Sequence, residues 1–229
     1  ESVSPPARFT GGRVLDLMRG DGMEEYTTIR AAASDEFVER RSRFIGYIAP
    51  VRTEEEAAAF ISEKKALHWD ASHNVYAYIL REGQTRRYSD DGEPQGTAGV
   101  PVLEVLQREG LVDVAAVVTR YFGGVLLGAG GLVRAYSHAA KLAVDAAERM
   151  VMSECAELSA MFSYDQYGRI ERLLAKYGAR TLGSDYAADV TLRVLMKANR
   201  VEAFQRDLAE LTAGRVTACV EDRRYDCMP

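Results

Sequence analysis

The sequence holds only three cysteines, three histidines and one tryptophan among 229 residues, and each scarcity removes a class of chemistry. Cys155, Cys219 and Cys227 are odd in number and form no C-x-x-C pair. That argues against a disulfide framework or a thiolate metal site and for reduced thiols in the cytoplasm. His68, His73 and His138 share no metal-ligand or triad spacing. His73, near Asp70 at the head of a β-rich run, is the best acid or base candidate, with a structural histidine as the competing reading. No apolar run approaches the length of a membrane span, and no secretory leader is visible. Excess positive charge is missing too. The net charge is −5; residues 24–149 carry 15 basic and 19 acidic side chains, and residues 150–229 carry 11 and 12. A sequence-independent nucleic-acid binder needs a concentrated basic patch to release counterions, so an RNA contact here has to be local.

What the chain has in plenty is glycine at one place. Residues 114–134 read VAAVVTRYFGGVLLGAGGLVR. The opening five are short, β-branched and uncharged, as in a strand with both faces buried, and the strand ends at Arg120. Tyr121 and Phe122 lead into Gly123, Gly124, Gly128, Gly130 and Gly131. Glycine at that density costs conformational entropy that a mere connection does not require. A helix beginning near Gly130 aims its free amides and positive dipole end into the same space, the arrangement by which helix N-termini hold phosphate or carboxylate. Arg120 and Arg134 add charge there. The competing reading is a tight helix–sheet crossing, with Arg120 in an ordinary surface ion pair. The run is not a P-loop, since no Gly-Lys-Ser or Gly-Lys-Thr follows. Nor is it a dinucleotide fingerprint, because Val133 stands where the third glycine belongs.

A second segment, residues 89–101, reads SDDGEPQGTAGVP. Asp90, Asp91 and Glu93 concentrate negative charge, Gly92 and Gly96 permit turns, and Thr97 is placed to cap a helix over residues 98–109. The acids are solvated, or hold a divalent cation without the twelve-residue calcium pattern, or pair with Arg120 or Arg134 and fix the glycine loop.

The remaining pattern is that of an α+β protein in two domains. Residues 1–22 look like a flexible upstream extension or an expression remnant, with Met23 as a natural start. Residues 23–149 alternate strands with a helix opened by a Thr53/Glu56 capping box, a hairpin through Glu82 and Gly83, and a long helix from Gly130 to Glu148. That helix sets Leu132, Tyr136, Ala139, Ala143 and Ala147 on one face. Residues 150–229 read β-α-β-β-α-β, the ferredoxin-like order. Asp165 and Asn199/Glu202 are placed as helix caps and Gly183-Ser184-Asp185 as a turn.

DDGEPQGTAGVPVLEVL followed by VVTRYFGGVLLGAGGLVRAYSHA resembles the signature of the Impact family, specifically its bacterial YigZ branch. The resemblance extends upstream through SRFIGYIAPV and HWDASHNVYAYIL. It implies a first domain similar to the second domain of a small-subunit ribosomal protein and to the fourth domain of elongation factor G. It also implies a second domain similar to that factor's fifth. Eukaryotic relatives regulate translation under amino-acid stress by competing for the activator of an initiation-factor kinase, a pathway bacteria lack. No catalytic residue and no cofactor is implied.

Two functions follow as expectations. The favoured one is a non-enzymatic, translation-linked protein that binds the ribosome, RNA or a translation-associated protein, with no membrane contact. Its anionic-ligand contact is formed by Arg120, Tyr121, Phe122, Gly123, Gly124, Gly128, Gly130, Gly131 and Arg134 together with Asp90, Asp91, Gly92 and Glu93. The alternative is an enzyme or sensor for a small phosphorylated metabolite or nucleotide, with residues 128–131 on the phosphate and Asp90 or Asp91 near magnesium. No kinase lysine or serine accompanies that loop.

Overall fold

In the computed structural model, which describes residues 25–228, the run at Val114 is the central strand β6 (Val114–Tyr121) of a five-stranded antiparallel sheet. The expected extension at residues 1–22 and the start at Met23 lie outside the described residues. Across the sheet the order is β2 (Ala33–Glu39), β3 (Ser42–Pro50), β6, β4 (His73–Ile79) and β5 (Arg86–Ser89). Successive strand residues point to opposite faces, so an uninterrupted apolar strand needs cover on both. It has it. Val114, Ala116 and Val118 pack with Phe44 and Ile48 beneath α2 (Gly99–Arg108) and α3 (Ala129–Ala146). Ala115 and Val117 pack with Ala57 and Ile61 of α1 (Glu54–Leu67) on the other face. The alanines of α3 allow close docking on the sheet: a Cβ added to Gly46 would stand 2.2 Å from the Ala139 carbonyl oxygen.

The second sheet holds β7 (Arg149–Phe162), β8 (Arg180–Tyr186), β9 (Val190–Lys197) and β10 (Ala218–Asp226), with α4 (Tyr167–Lys176) and α5 (Val201–Thr212) completing the order β-α-β-β-α-β. β7 pairs with β10 and β9, and β9 with β8, all antiparallel. A separate core of Leu158, Ile170, Leu192, Phe204 and Leu208 fills the space under the two helices.

Several local expectations are corrected. Asp165 does not cap α4; its carboxylate accepts from the Ser163 hydroxyl, and a 3-10 turn at Tyr164–Gln166 opens the helix. A like turn at Ala198–Arg200 precedes α5, so Asn199 and Glu202 form no capping box. The residues expected to turn at Gly183 continue as strand β8, which bulges between Thr181 and Gly183, and the chain reverses after Tyr186.

A strand that no periodicity announced, β1 (Glu25–Ile29), joins the second sheet by pairing with the first five residues of β7. Its other side serves the first half of the chain. Val112 N–H donates to the Thr27 carbonyl at 2.9 Å, and Ile29 is fully buried in the first core. Arg81 completes this junction, its guanidinium 4.3 Å from the ring centre of Tyr225 and 5.5 Å from that of Tyr26. Among the described residues no helix is long and apolar enough to cross a membrane.

Candidate functional site

Pairing in the first sheet brings four connections to one end. β3 and β4 begin there and β6 ends there, since Arg43 lies opposite Tyr121 and His73 opposite Arg120. β5 also ends there, with Ser89 opposite Tyr76. The β2–β3 turn at Arg40 and Arg41, residues 68–72, residues 90–98 and residues 122–128 therefore adjoin.

The glycine loop is pinned on one side and open on the other. Ser72 N–H donates to the Arg120 carbonyl at 2.9 Å, Phe122 N–H to Ser72 Oγ at 3.1 Å and Gly123 N–H to Ser42 Oγ at 3.2 Å. A Cβ on Gly123 would fall 2.0 Å from the Arg41 carbonyl oxygen, so this glycine is a packing device. Gly128 is different. With φ of 73° and open space where its Cβ would be, it turns the chain into α3 at Ala129. Among the described residues no side chain caps that helix, so the first-turn amides keep their donors free of side-chain acceptors. They border a cleft of about 460 Å³ walled by Phe122, Leu126, Leu127, Leu132 and Pro94 and floored by His73, Glu93 and Arg120.

The acids of residues 90–93 turn inward. Asp90 Oδ1 accepts from the amides of Ala98 and Gly99 at 3.1 and 2.8 Å, and its Oδ2 from Gly96 at 2.9 Å. Asp90, not Thr97, thus satisfies the start of α2; the Thr97 hydroxyl donates instead to the Pro94 carbonyl at 2.7 Å. Asp91 accepts from Lys65 Nζ and from the Asn74 amide, both at 2.6 Å. Glu93 accepts from Arg120 Nη1 at 2.6 Å and from the Tyr136 hydroxyl at 2.7 Å; the Arg120 and Glu93 side chains are 6% and 4% exposed. Burial, then the facing Glu93 carboxylate, pushes the Tyr136 hydroxyl well above the usual phenol range. Arg120 is therefore no surface residue. Its guanidinium lies 5.4 Å from the ring centres of both Phe44 and Phe122, and its Nε–H has no acceptor among the described residues. His73 Nδ1–H donates to the Asp91 carbonyl at 2.8 Å, and its Nε2 faces Glu93 Oε1 at 3.7 Å.

A model of the Impact N-terminal domain matches residues 40–144, a span that includes all four connections, and a domain of unknown function, DUF1949, matches residues 162–215. IMPACT family member YvyE of Bacillus subtilis is 40% identical over 84% of this chain and 89% of its own length. The chain belongs to the Impact family. IMPACT family member YigZ of Escherichia coli is 38% identical over 76% of this chain and 87% of its own. A crystal structure described only as that of a hypothetical protein superposes with a TM-score of 0.58 at 35% identity, covering 87% of this chain and 98% of the other.

In this Impact family chain seven of the thirteen expected site residues divide into three places. Arg120, Phe122, Gly128 and Glu93 share the cleft. Arg134 and Gly131 lie on the neighbouring flank of α3, in a groove of about 240 Å³ with Arg40 and His138. Tyr121 faces the opposite side of the sheet. There its hydroxyl donates to Asp70 at 3.2 Å and lies 2.8 Å from His68 Nδ1, while the Tyr47 hydroxyl lies 2.7 Å from His68 Nε2. With the Tyr121 proton given to Asp70, His68 donates through Nδ1 and accepts from Tyr47 through Nε2. Burial first, then the nearby Arg43, lowers the His68 pKa and favours this neutral form. The chain ties residues 68–72 to the sheet. Sequence reasoning had also passed over Arg40 and Arg41, whose φ values of 45° and 68° make a two-residue turn where Asn-Gly is the usual signal. Trp69 was passed over as well, at 84% exposure.

Proposed function

We propose that the chain is a non-enzymatic, translation-linked binding protein that takes an anionic group of its partner at the opening of α3. One observation carries this reading: the uncapped first turn of α3 opens on a cleft with Arg120 in its floor, while the nearby acids are spent on internal donors. The surface at this end is then more cationic than its sequence. No ion pair or hydrogen bond among the described residues engages the side chains of Arg41 or Arg134. The resemblance of the two halves to ribosomal-protein and elongation-factor domains supports a partner in the translation apparatus, with cytoplasmic residence.

The metabolite-enzyme reading finds less support. All four carboxylate oxygens of Asp90 and Asp91 accept from protein donors, which ill suits them to magnesium, and no group of three His, Cys, Asp or Glu among the described residues is placed to hold a metal.

Co-sedimentation with ribosomes and with ribosomal RNA at low and moderate salt tests the proposal, with Arg41→Glu/Arg134→Glu beside the parent. Binding that weakens with salt and more steeply in the variant is expected. No binding by the parent at either salt refutes it.

A further inference from the structure

We infer that the cleft receives one unstacked nucleotide of a single-stranded RNA, its base between Phe122 and Leu132 and its phosphate at the first-turn amides of α3. This rests on the reading of the α3 opening as an anion contact and names what carries the anion. The cleft, about 460 Å³, is of ligand size and mostly apolar, which suits a flat ring better than a bare phosphate. Phe122 is 48% exposed although its ring also covers Arg120, so it can stack a base while the guanidinium supports it from behind. The floor holds one donor without a mate among the described residues. Arg120 Nε–H, in a side chain 6% exposed, is an unpaired buried donor beneath Phe122.

Features outside the cleft favour a strand over a single small molecule. Trp69 is 84% exposed in the connection that hydrogen-bonds to Arg120 and Phe122, a second surface for stacking. Arg41, whose backbone touches Gly123, and Arg134, which reaches back to Gly130, are placed for flanking phosphates. A free nucleotide would engage the cleft alone.

The full chain is titrated by fluorescence anisotropy with a labelled mixed-sequence RNA decamer, an abasic decamer of the same backbone, and adenosine monophosphate as competitor. Phe122→Ala tests the base and Ala129→Glu the phosphate. A carboxylate in the first turn of a helix stabilises it, so the second variant stays folded while blocking the amides. Phe122→Ala is expected to weaken the RNA about tenfold and leave the abasic strand unchanged, and Ala129→Glu to weaken both. Equal affinity of the parent for the two strands, or no effect of Phe122→Ala, overturns the base site; if Ala129→Glu still weakens both, the anion contact stands. Binding of neither strand by the parent overturns both readings. Adenosine monophosphate as tight as the decamer overturns the strand assignment.

Discussion

Replacing Arg120 by alanine is expected to destabilise this protein strongly before it reports on binding. The guanidinium bonds Glu93 at 2.6 Å with both side chains at least nine-tenths buried, so its removal strands a carboxylate with one strong donor left, the Tyr136 hydroxyl. Breaking one side of a buried pair costs about 3–5 kcal/mol, a large share of a total stability of roughly 5–15 kcal/mol. For a chain of this length that corresponds to a fall in Tm of about 6–20 °C. Thermal and urea unfolding followed by circular dichroism would measure it, with Arg120→Met, Glu93→Leu and Arg120→Met/Glu93→Leu forming a cycle. Exchanging both charges for apolar groups is close to neutral, so the double variant should recover most of the loss, with a coupling above about 2 kcal/mol. An Arg120→Ala loss under about 1 kcal/mol, or a double variant no better than the sum of its parts, would refute a buried, interlocked pair.

Gly123→Ala should lose about 1–3 kcal/mol, because the new methyl meets the Arg41 backbone, which has no rotamer with which to yield; chemical denaturation measures the loss. Asp90→Ala leaves the amides of Gly96, Ala98 and Gly99 without their acceptor and should cost about 1–2 kcal/mol, with faster amide exchange confined to the start of α2. His68 titrates below its ordinary value in the folded chain, so between the unfolded value near about 6.5 and the folded one the unfolded chain binds more protons. Stability is therefore full above about pH 6.5 and declines as pH falls through the folded value; His68→Gln should flatten that decline, as followed by urea midpoints.

Much of this architecture is legible where the determinants are local. The doubly buried strand, the alanine face of α3 and the Thr53 cap follow from short-range pattern; the Glu93–Arg120 pair, 27 positions apart, was one of three readings the sequence left open. What escaped was non-local or a matter of direction. Asp90 reaches forward eight and nine positions to its amides, farther than any capping rule looks. Arg120 and Tyr121 are consecutive in a strand and so cannot face the same site, which alternation alone foretells. Arg134 left the cleft through the helical repeat: Gly128, Ala129 and Leu132 line one flank of α3, and Gly131, Arg134 and His138 the next. β1 carries only five residues, and its partner strand is far along the chain, so no window contains both.

That strand sets a timetable. The partner of Glu25 emerges 128 positions later, at Ser153, an interval of roughly 6–25 s at ordinary rates of synthesis. By then the first core, which holds Ile29, is complete in sequence, and β1 is fixed beside Leu111 with an unoccupied edge. A nascent chain so held carries a template for β7, and until β7 arrives the same edge is open to any other extended segment, including β1 of a neighbouring chain. Ending translation after α3 should therefore yield a species that self-associates in light scattering, whereas the full chain, its edge closed from within, should not.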